Sequence, residues 1–495
     1  MNRLWMAVIA CGLVFLLTGC SAFVDQDQPS AVPGADVELQ AGHTVGQTFV
    51  ARHGGLQGLE LWLDPEAGAA GDLVLHLRTD PAAAADLAEA TLPLSQVTDT
   101  GFHRFLFSPV HESTGEYYYA FLELNGEGEL DVGTGAGDAY LDGALYVDHE
   151  PRDAQAAFRL VYDPLWVAVD LGKAAVSGVG LLGVAVLLYC VPGWALLAWL
   201  WPAAKLSWAE RAGIAVGLSL ALYPLLVLWT DLVGLHLGAL YAWGPVVGGL
   251  AALAWRYRHW RPADGWKALQ AWSHSPSFFP DVTLIFVLVL VFGVRLITVR
   301  TLDAPMWGDS YQHTMITQLL LDHGGLFQSW EPYAALTTFT YHFGFHSVVA
   351  VFCWLTGMEP TQAVIWVGQI LNGLGVFVLF ALAKRVGGNH WAGVIAVLVA
   401  GLLSPMPMYY INWGRYTQLA GQVILPAVVF LTWCAVETPR RDWKLVFLAW
   451  LAVGGLALVH YRVLLFYVVF VVAWLLLSLR KNAWVRSISD RKSVV

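Results

Sequence analysis

The alternation of apolar and polar positions changes character after Tyr162. Before it, from about Gln26, short runs alternate: Leu59-Glu60-Leu61-Trp62-Leu63, Leu73-Val74-Leu75-His76-Leu77-Arg78 and Tyr117-Tyr118-Tyr119-Ala120-Phe121-Leu122-Glu123-Leu124. Gly, Asp, Pro and Asn bound these runs, the pattern of half-buried strands separated by turns, and it predicts an all-β sandwich over 26–163. After Tyr162 the apolar runs lengthen to helical size. Spanning helices are predicted at about 174–200, 212–233, 239–255, 282–299, 363–383, 391–406, 421–436, 443–459 and 463–479, several near the minimum of about 17 to 20 residues for a hydrocarbon core of roughly 30 Å. Pro192-Gly193-Trp194 reads as a kink and Ser207-Trp208-Ala209-Glu210 as a capping box.

One further apolar stretch, His346 to Thr356, decides orientation. Taken as an interfacial or re-entrant helix inside a long external loop (300–362), it leaves every basic cluster on one side: Lys205 and Arg211; Arg256, Arg258, Arg261 and Lys267; Lys384 and Arg385; Arg440, Arg441 and Lys444; and Arg480 through Lys492. Taken as a span, it would turn the last three clusters outward against the positive-inside rule. The expected division is therefore three accessory helices at 171–261, a helical core at 281–480 and a basic cytoplasmic tail at 481–495. Residues 1–22 read as a signal peptide or anchor helix. They end in Leu17-Thr18-Gly19-Cys20-Ser21, which resembles a bacterial lipobox and implies cleavage and lipidation at Cys20. Both alternatives put the sandwich outside the cytoplasm.

Composition agrees with this class. Hydrophobic residues are 57% of the 495 and charged residues 13%, with 24 Trp and a mean hydropathy of +0.57, a balance foreign to a water-facing globule of this size. The net charge of −10 is concentrated as acid between Asp25 and Asp163, which excludes nucleic acid as a partner. Cys11, Cys190, Cys353 and Cys434 lack paired spacing, so no disulfide framework or thiolate metal site is expected.

The chemistry is expected on the external face, where the loop with Trp307-Gly308-Asp309-Ser310-Tyr311-Gln312-His313 meets the turns Asn412 to Gln418 and His460 to Arg462. A carboxylate at the water interface with guanidinium groups at neighbouring helix ends suits transfer of a group from a lipid-borne phosphate. Asp309 would take the proton of the incoming hydroxyl, and Arg415 and Arg462 would stabilise charge on the leaving phosphate. Gln312, His313, His342, His346, Tyr416, Gln418 and His460 are candidate substrate-binding residues. Each has a plainer reading: Asp309 as a helix cap, Arg415 snorkelling to headgroups, the histidines in interfacial hydrogen bonds, and Arg295 reaching the outer interface or a cavity.

This arrangement resembles the C-type membrane glycosyltransferases (the GT-C fold), which include oligosaccharyltransferases, protein mannosyltransferases and aminoarabinose transferases. Those enzymes carry an essential Asp in the first external loop of their core, as Asp309 stands after 282–299. They continue with interfacial helices, a helix descending to a basic turn (here Ala363 to Arg385) and one rising to a Tyr-rich turn (here Trp391 to Tyr410). The resemblance covers roughly 281–480 and implies a polytopic inner-membrane enzyme that transfers a sugar from a polyprenyl-phosphate donor to a glycan, lipid or protein acceptor. The metal-using members have an acidic pair in the second external turn, where this chain has Asn412-Trp413-Gly414-Arg415-Tyr416-Thr417-Gln418. A site with no metal or other cofactor is therefore expected, a divalent cation having only Asp303, Asp322, Glu331 or Glu359 as further carboxylates. The sandwich resembles carbohydrate-binding jelly rolls, with Trp62, Tyr117, Tyr119, Tyr140 and Tyr146 as sugar platforms or core fillers. A glycan-binding sensor and a transporter are the competing classes. The enzymes it resembles usually continue with more helices past the position of Leu479, so a truncated chain is also an expectation.

Overall fold

The computed structural model describes residues 22–25, 30–32, 34–66, 69–202, 204–300, 302, 304–438 and 442–492, with side chains through residue 477. The signal segment with Cys20, as well as Asp303, Arg440 and Arg441, lies outside the described residues. The chain divides into two compact units, Met1–Val176 and Ser177–Val495.

The first unit contains thirteen described strands: β1 (Phe23–Asp25), β2 (Asp36–Gln40), β3 (Thr44–Val50), β4 (Leu56–Pro65), β5 (Ala70–Arg78), β6 (Ala88–Pro93), β7 (Gly101–Val110), β8 (Tyr117–Glu127), β9 (Glu129–Ala136), β10 (Leu145–Val147), β11 (Glu150–Arg152), β12 (Ala154–Ala156) and β13 (Phe158–Tyr162). They make two antiparallel sheets. One has the order β1-β13-β4-β9-β12, with β2 beside β9 and β7 beside β4, and the other β11-β10-β3-β8-β5-β6. Leu59, Leu61 and Leu63 of β4 and Leu73, Leu75 and Leu77 of β5 meet in one buried core, as alternation dictates when one face of each sheet is covered. Glu60, between two of those leucines, is buried and held by Arg104 Nη2 at 2.7 Å and Arg159 Nη1 at 3.6 Å. Of the five candidate rings, Tyr117 is 42% exposed and Trp62 and Tyr146 are part-buried. Tyr140 belongs to the core, its Oη accepting from Val50 N at 3.0 Å, whereas Tyr119 is buried on the other face of β8 against Tyr146 and His149.

The second unit is helical: α1 (Pro164–Tyr189, which enters from the first unit), α2 (Val191–Leu200), α3 (Trp208–Asp231), α4 (Leu240–Arg256), α5 (Pro262–Ser273), α6 (Phe278–Thr298), α7 (Gly308–Asp322), α8 (Gly344–Thr356), α9 (Pro360–Phe377), α10 (Leu379–Gly387), α11 (His390–Leu398), α12 (Tyr409–Asn412), α13 (Tyr416–Glu437), α14 (Trp443–Val459) and α15 (Tyr461–Lys492). Among the described residues, five helical stretches are long and apolar enough to cross a membrane: Pro164–Leu200, Trp208–Asp231, Phe278–Thr298, Pro360–Gly387 and Tyr416–Glu437; four more are apolar but shorter. The stretch expected at 391–406 is α11 followed by a π-helical turn, Val399–Leu403. The kink foreseen at Pro192 lies at Cys190, an irregular residue between α1 and α2 (φ −124°, ψ −45°) across which the Trp194 N–H still donates to Cys190 O at 2.9 Å.

The helices ahead of Asp281 are not a separate layer. Ala221 of α3 lies so close to Gly455 of α14 that a Cβ there would meet it at 2.3 Å, the small-residue contact that lets helix backbones approach in apolar surroundings. Tyr189 Oη donates to Val348 O of α8 at 2.9 Å. The ambiguous stretch is α8, thirteen residues of which the first ten are buried. At about 1.5 Å per residue it is shorter than a hydrocarbon core, and its first ten residues are enclosed by the rest of the helical unit. At one end of the unit Glu210 closes the predicted capping box with Ser207 and accepts from Lys384 Nζ at 2.6 Å, while Arg385 pairs with Glu437 at 2.5 Å. The other end, where α7, α13 and α15 begin, holds the groups singled out above.

Candidate functional site

Trp307, directly ahead of α7, has φ +75° and ψ 147°, a region that bulky L-residues rarely enter and that costs of order 1–3 kcal/mol. The helix starts without a side-chain cap. Asp309 in its first turn instead reaches across to Arg415, Nη1 to Oδ2 3.5 Å, with the two side chains 52% and 50% exposed for Arg415 and Asp309. So exposed a pair adds only about 0–1 kcal/mol to stability. Both groups are therefore open to a third, incoming one.

Their approach depends on Gly414, at φ +62°, where a Cβ would come within 3.0 Å of Asp309 Cβ and 3.1 Å of Ser310 Oγ. Gly414→Ala is expected to destabilise the protein by about 1–2 kcal/mol through its left-handed backbone alone, with a further loss from the clash. Thermal unfolding in detergent measures this, and an unchanged melting temperature would contradict the close approach.

His313, one turn along α7, is the brace for this turn. Its Nε2 lies 3.0 Å from Gly414 O and its Nδ1 3.0 Å from His346 Nε2. A carbonyl can only accept, so the His313 Nε2–H donates to it, and Nδ1 is left to accept from His346 Nε2–H. The ring is thereby held as a neutral tautomer, and burial, its largest influence, pushes its pKa down to about 4. His342 and His460 face each other with ring centroids 4.7 Å apart. Burial lowers both to about 4 as well, and the positive charges of Arg462 and Arg415 add to the effect at His460. Both guanidiniums thus act on one imidazole, which ties the start of α15 to the start of α13.

These shifts predict a pH dependence. Each of the three rings is protonated below about pH 6.5 in an unfolded chain and only near pH 4 in the fold, so between those values the unfolded state binds more protons and stability falls with falling pH. The melting temperature is expected to drop from pH 6.5 to 4, and less in His460→Gln. An equal drop in both proteins would assign the effect to other groups.

The turn is anchored from beneath by Arg295, buried within α6 at 2% exposure. Its Nε donates to Asn372 Oδ1 at 2.6 Å and its Nη2 to Gly401 O, in the π turn, at 3.1 Å. Asn372 Nδ2 donates to Pro407 O at 2.9 Å. The guanidinium satisfies its donors with oxygens inside the bundle and reaches neither the interface nor an open cavity.

A cavity of about 260 Å³ opens beside the ion pair, lined by Asp309, Gln312, His313, Ile316, Trp330 and Tyr341. Of the predicted residues, Asp309, Gln312 and His313 line it and Arg415 flanks it. Tyr416 is buried, stacked on Phe345 at 5.4 Å, and His346 is fully buried and hydrogen-bonded to His313, so both support the site from within and do not line its cavity. Gln418 donates to Tyr410 Oη at 3.4 Å and braces the turn. Arg462 is exposed, its Nε donating to Tyr461 Oη at 3.2 Å. Tyr341 and Trp330 were not legible as lining residues, because only the fold of 324–343 brings them back to α7. The histidines at this end contact one another ring to ring. Among the described residues the group able to enclose an ion is His76, Asp86 and Glu89 in the first unit, where Arg78 Nε already binds Asp86 at 2.6 Å.

The sandwich and the apolar helices together define a membrane-associated protein with a separate β domain. Within that class the chain belongs to a family of unknown function, DUF6541, whose model matches residues 185–495. No curated protein matches the chain.

Proposed function

We propose that the protein is a polytopic membrane glycosyltransferase that moves a sugar from a polyprenyl-phosphate donor to an envelope glycan, lipid or protein acceptor. The observation that carries this reading is the half-exposed Asp309–Arg415 pair, 3.5 Å apart, at the mouth of a cavity. In the reaction an acceptor hydroxyl oxygen attacks the anomeric carbon, the bond from that carbon to the phosphate oxygen breaks, and its electron pair leaves with the polyprenyl phosphate. Asp309 receives the hydroxyl proton. Arg415, at the N-terminus of α13, and Arg462, at that of α15, stabilise the leaving phosphate, helped by the positive ends of the two helix dipoles. Direct displacement of this kind inverts the anomeric centre. The reading keeps the C-type architecture for 281–480, a jelly-roll-like sandwich, an extracytoplasmic site and a cytoplasmic C-terminus.

The test is label transfer from radiolabelled polyprenyl-phosphate sugars in membranes holding the protein. Arg415→Ala is expected to raise the donor KM by roughly 10- to 100-fold, the worth of a hydrogen bond to a charged group. Activity is expected to survive EDTA. Complete loss on chelation would overturn the metal-independent mechanism, and an unaltered donor KM in Arg415→Ala would remove phosphate binding from that residue.

A further inference from the structure

A second, larger cavity of about 730 Å³ lies on the same unit, and Tyr341 lines both it and the Asp309 cavity. We infer that it is a binding site for a neutral oligosaccharide, which under the reading above is the acceptor.

Its volume falls within the roughly 300 to 1,000 Å³ of small-molecule sites, and its chemistry is selective. Among the described residues no Lys or Arg lines it, in contrast to the neighbouring end with Arg415 and Arg462, and the carboxylate of Asp231 on its lining disfavours an anionic ligand by like-charge repulsion. Ser329, Thr337, Thr338 and Thr340 supply hydroxyls and Gln328 an amide, groups that both donate and accept as sugar hydroxyls do. A lipid tail would strand them unpaired. Tyr341 is 42% exposed and held in place by stacking on His342 at 3.9 Å, a fixed ring for the apolar face of a pyranose. Phe327 and Phe339, also on the cavity lining, stack on each other at 4.6 Å. Also on this lining, His236 lies between two acceptors, Nε2 3.1 Å from Asp231 Oδ1 and Nδ1 3.1 Å from His323 O, and a neutral ring donates to one of them. The Asp231 carboxylate has lone pairs to spare for a sugar diol. Because Tyr341 lines both cavities, the saccharide site proposed here adjoins the Asp309 cavity, where the transferase reading needs an acceptor hydroxyl.

The experiment uses the full chain in nanodiscs and neutral trisaccharides of glucose, galactose or mannose, with a glucuronate-containing trisaccharide as the charged counterpart, followed by saturation-transfer NMR and calorimetry. At least one neutral trisaccharide is expected to bind more tightly than the charged one. Tyr341→Ala should weaken it roughly tenfold, as loss of a stacking ring does, and Asp231→Asn similarly. The double variant Thr338→Val with Thr340→Val, both on an exposed segment, should weaken binding without changing the melting temperature. Absence of binding by every neutral trisaccharide, tighter binding of the charged one, or full affinity in all three variants overturns the site. Saccharide binding without any label transfer would keep this site and reject the transferase; transfer unaffected by Tyr341→Ala and Asp231→Asn would do the reverse.

Discussion

Asp309→Asn is expected to lower turnover in the label-transfer assay by about 10² to 10⁴, the range a positioned proton acceptor contributes, with the donor Kd unchanged or tighter. The amide keeps the shape of the carboxylate but takes no proton from the attacking hydroxyl. It also removes the negative charge 3.5 Å from Arg415, which frees that guanidinium for phosphate. This sign distinguishes a general base from a donor ligand: were Asp309 mainly a binding residue, the donor Kd would rise and turnover at saturation would persist. Turnover that survives at the unaltered level would end the assignment.

Asn372→Leu should produce a large loss of stability, about 1.5–3 kcal/mol, the worth of a buried hydrogen bond to a charged group. It removes the oxygen that Arg295 Nε meets at 2.6 Å and leaves a buried cation short of a partner. It also releases Pro407 O, so the segment from the π turn to Gly414 loses its anchor and the donor KM should rise together with the fall in stability. In the double variant Arg295→Met with Asn372→Leu the uncompensated charge is gone, and part of the stability should return. Chemical unfolding in detergent measures both. If the double variant loses the sum of the two single losses, the two side chains are not coupled and the anchor fails.

The elements that were legible in the sequence are those with a strong local signal. Alternation along Leu59-Glu60-Leu61-Trp62-Leu63 announced β4, and Ser207 with Glu210 announced the start of α3, because both signals involve residues a few positions apart. The tyrosines show the limit. Tyr117 and Tyr119 point to the same face of β8 by period, yet Tyr119 is buried under Tyr146 and His149 while Tyr117 is 42% exposed, a difference made by β10 and the turn after it.

What the sequence determined by itself is the class: a strand-rich unit followed by apolar helices, with Asp309, Arg415 and Arg462 each at the start of a helix. Capping, periodicity and hydropathy are local properties, so they can be read along the chain. Only the tertiary structure decided which of these ends meet. That Gly414 admits Asp309 to Arg415, that His313 spends both ring nitrogens on the turn and on His346, that Arg295 is an internal anchor, and that Tyr341 joins two cavities all depend on side chains tens to more than a hundred positions apart. Their proximity is set by close packing of the whole helical unit, and no short-range pattern encodes it.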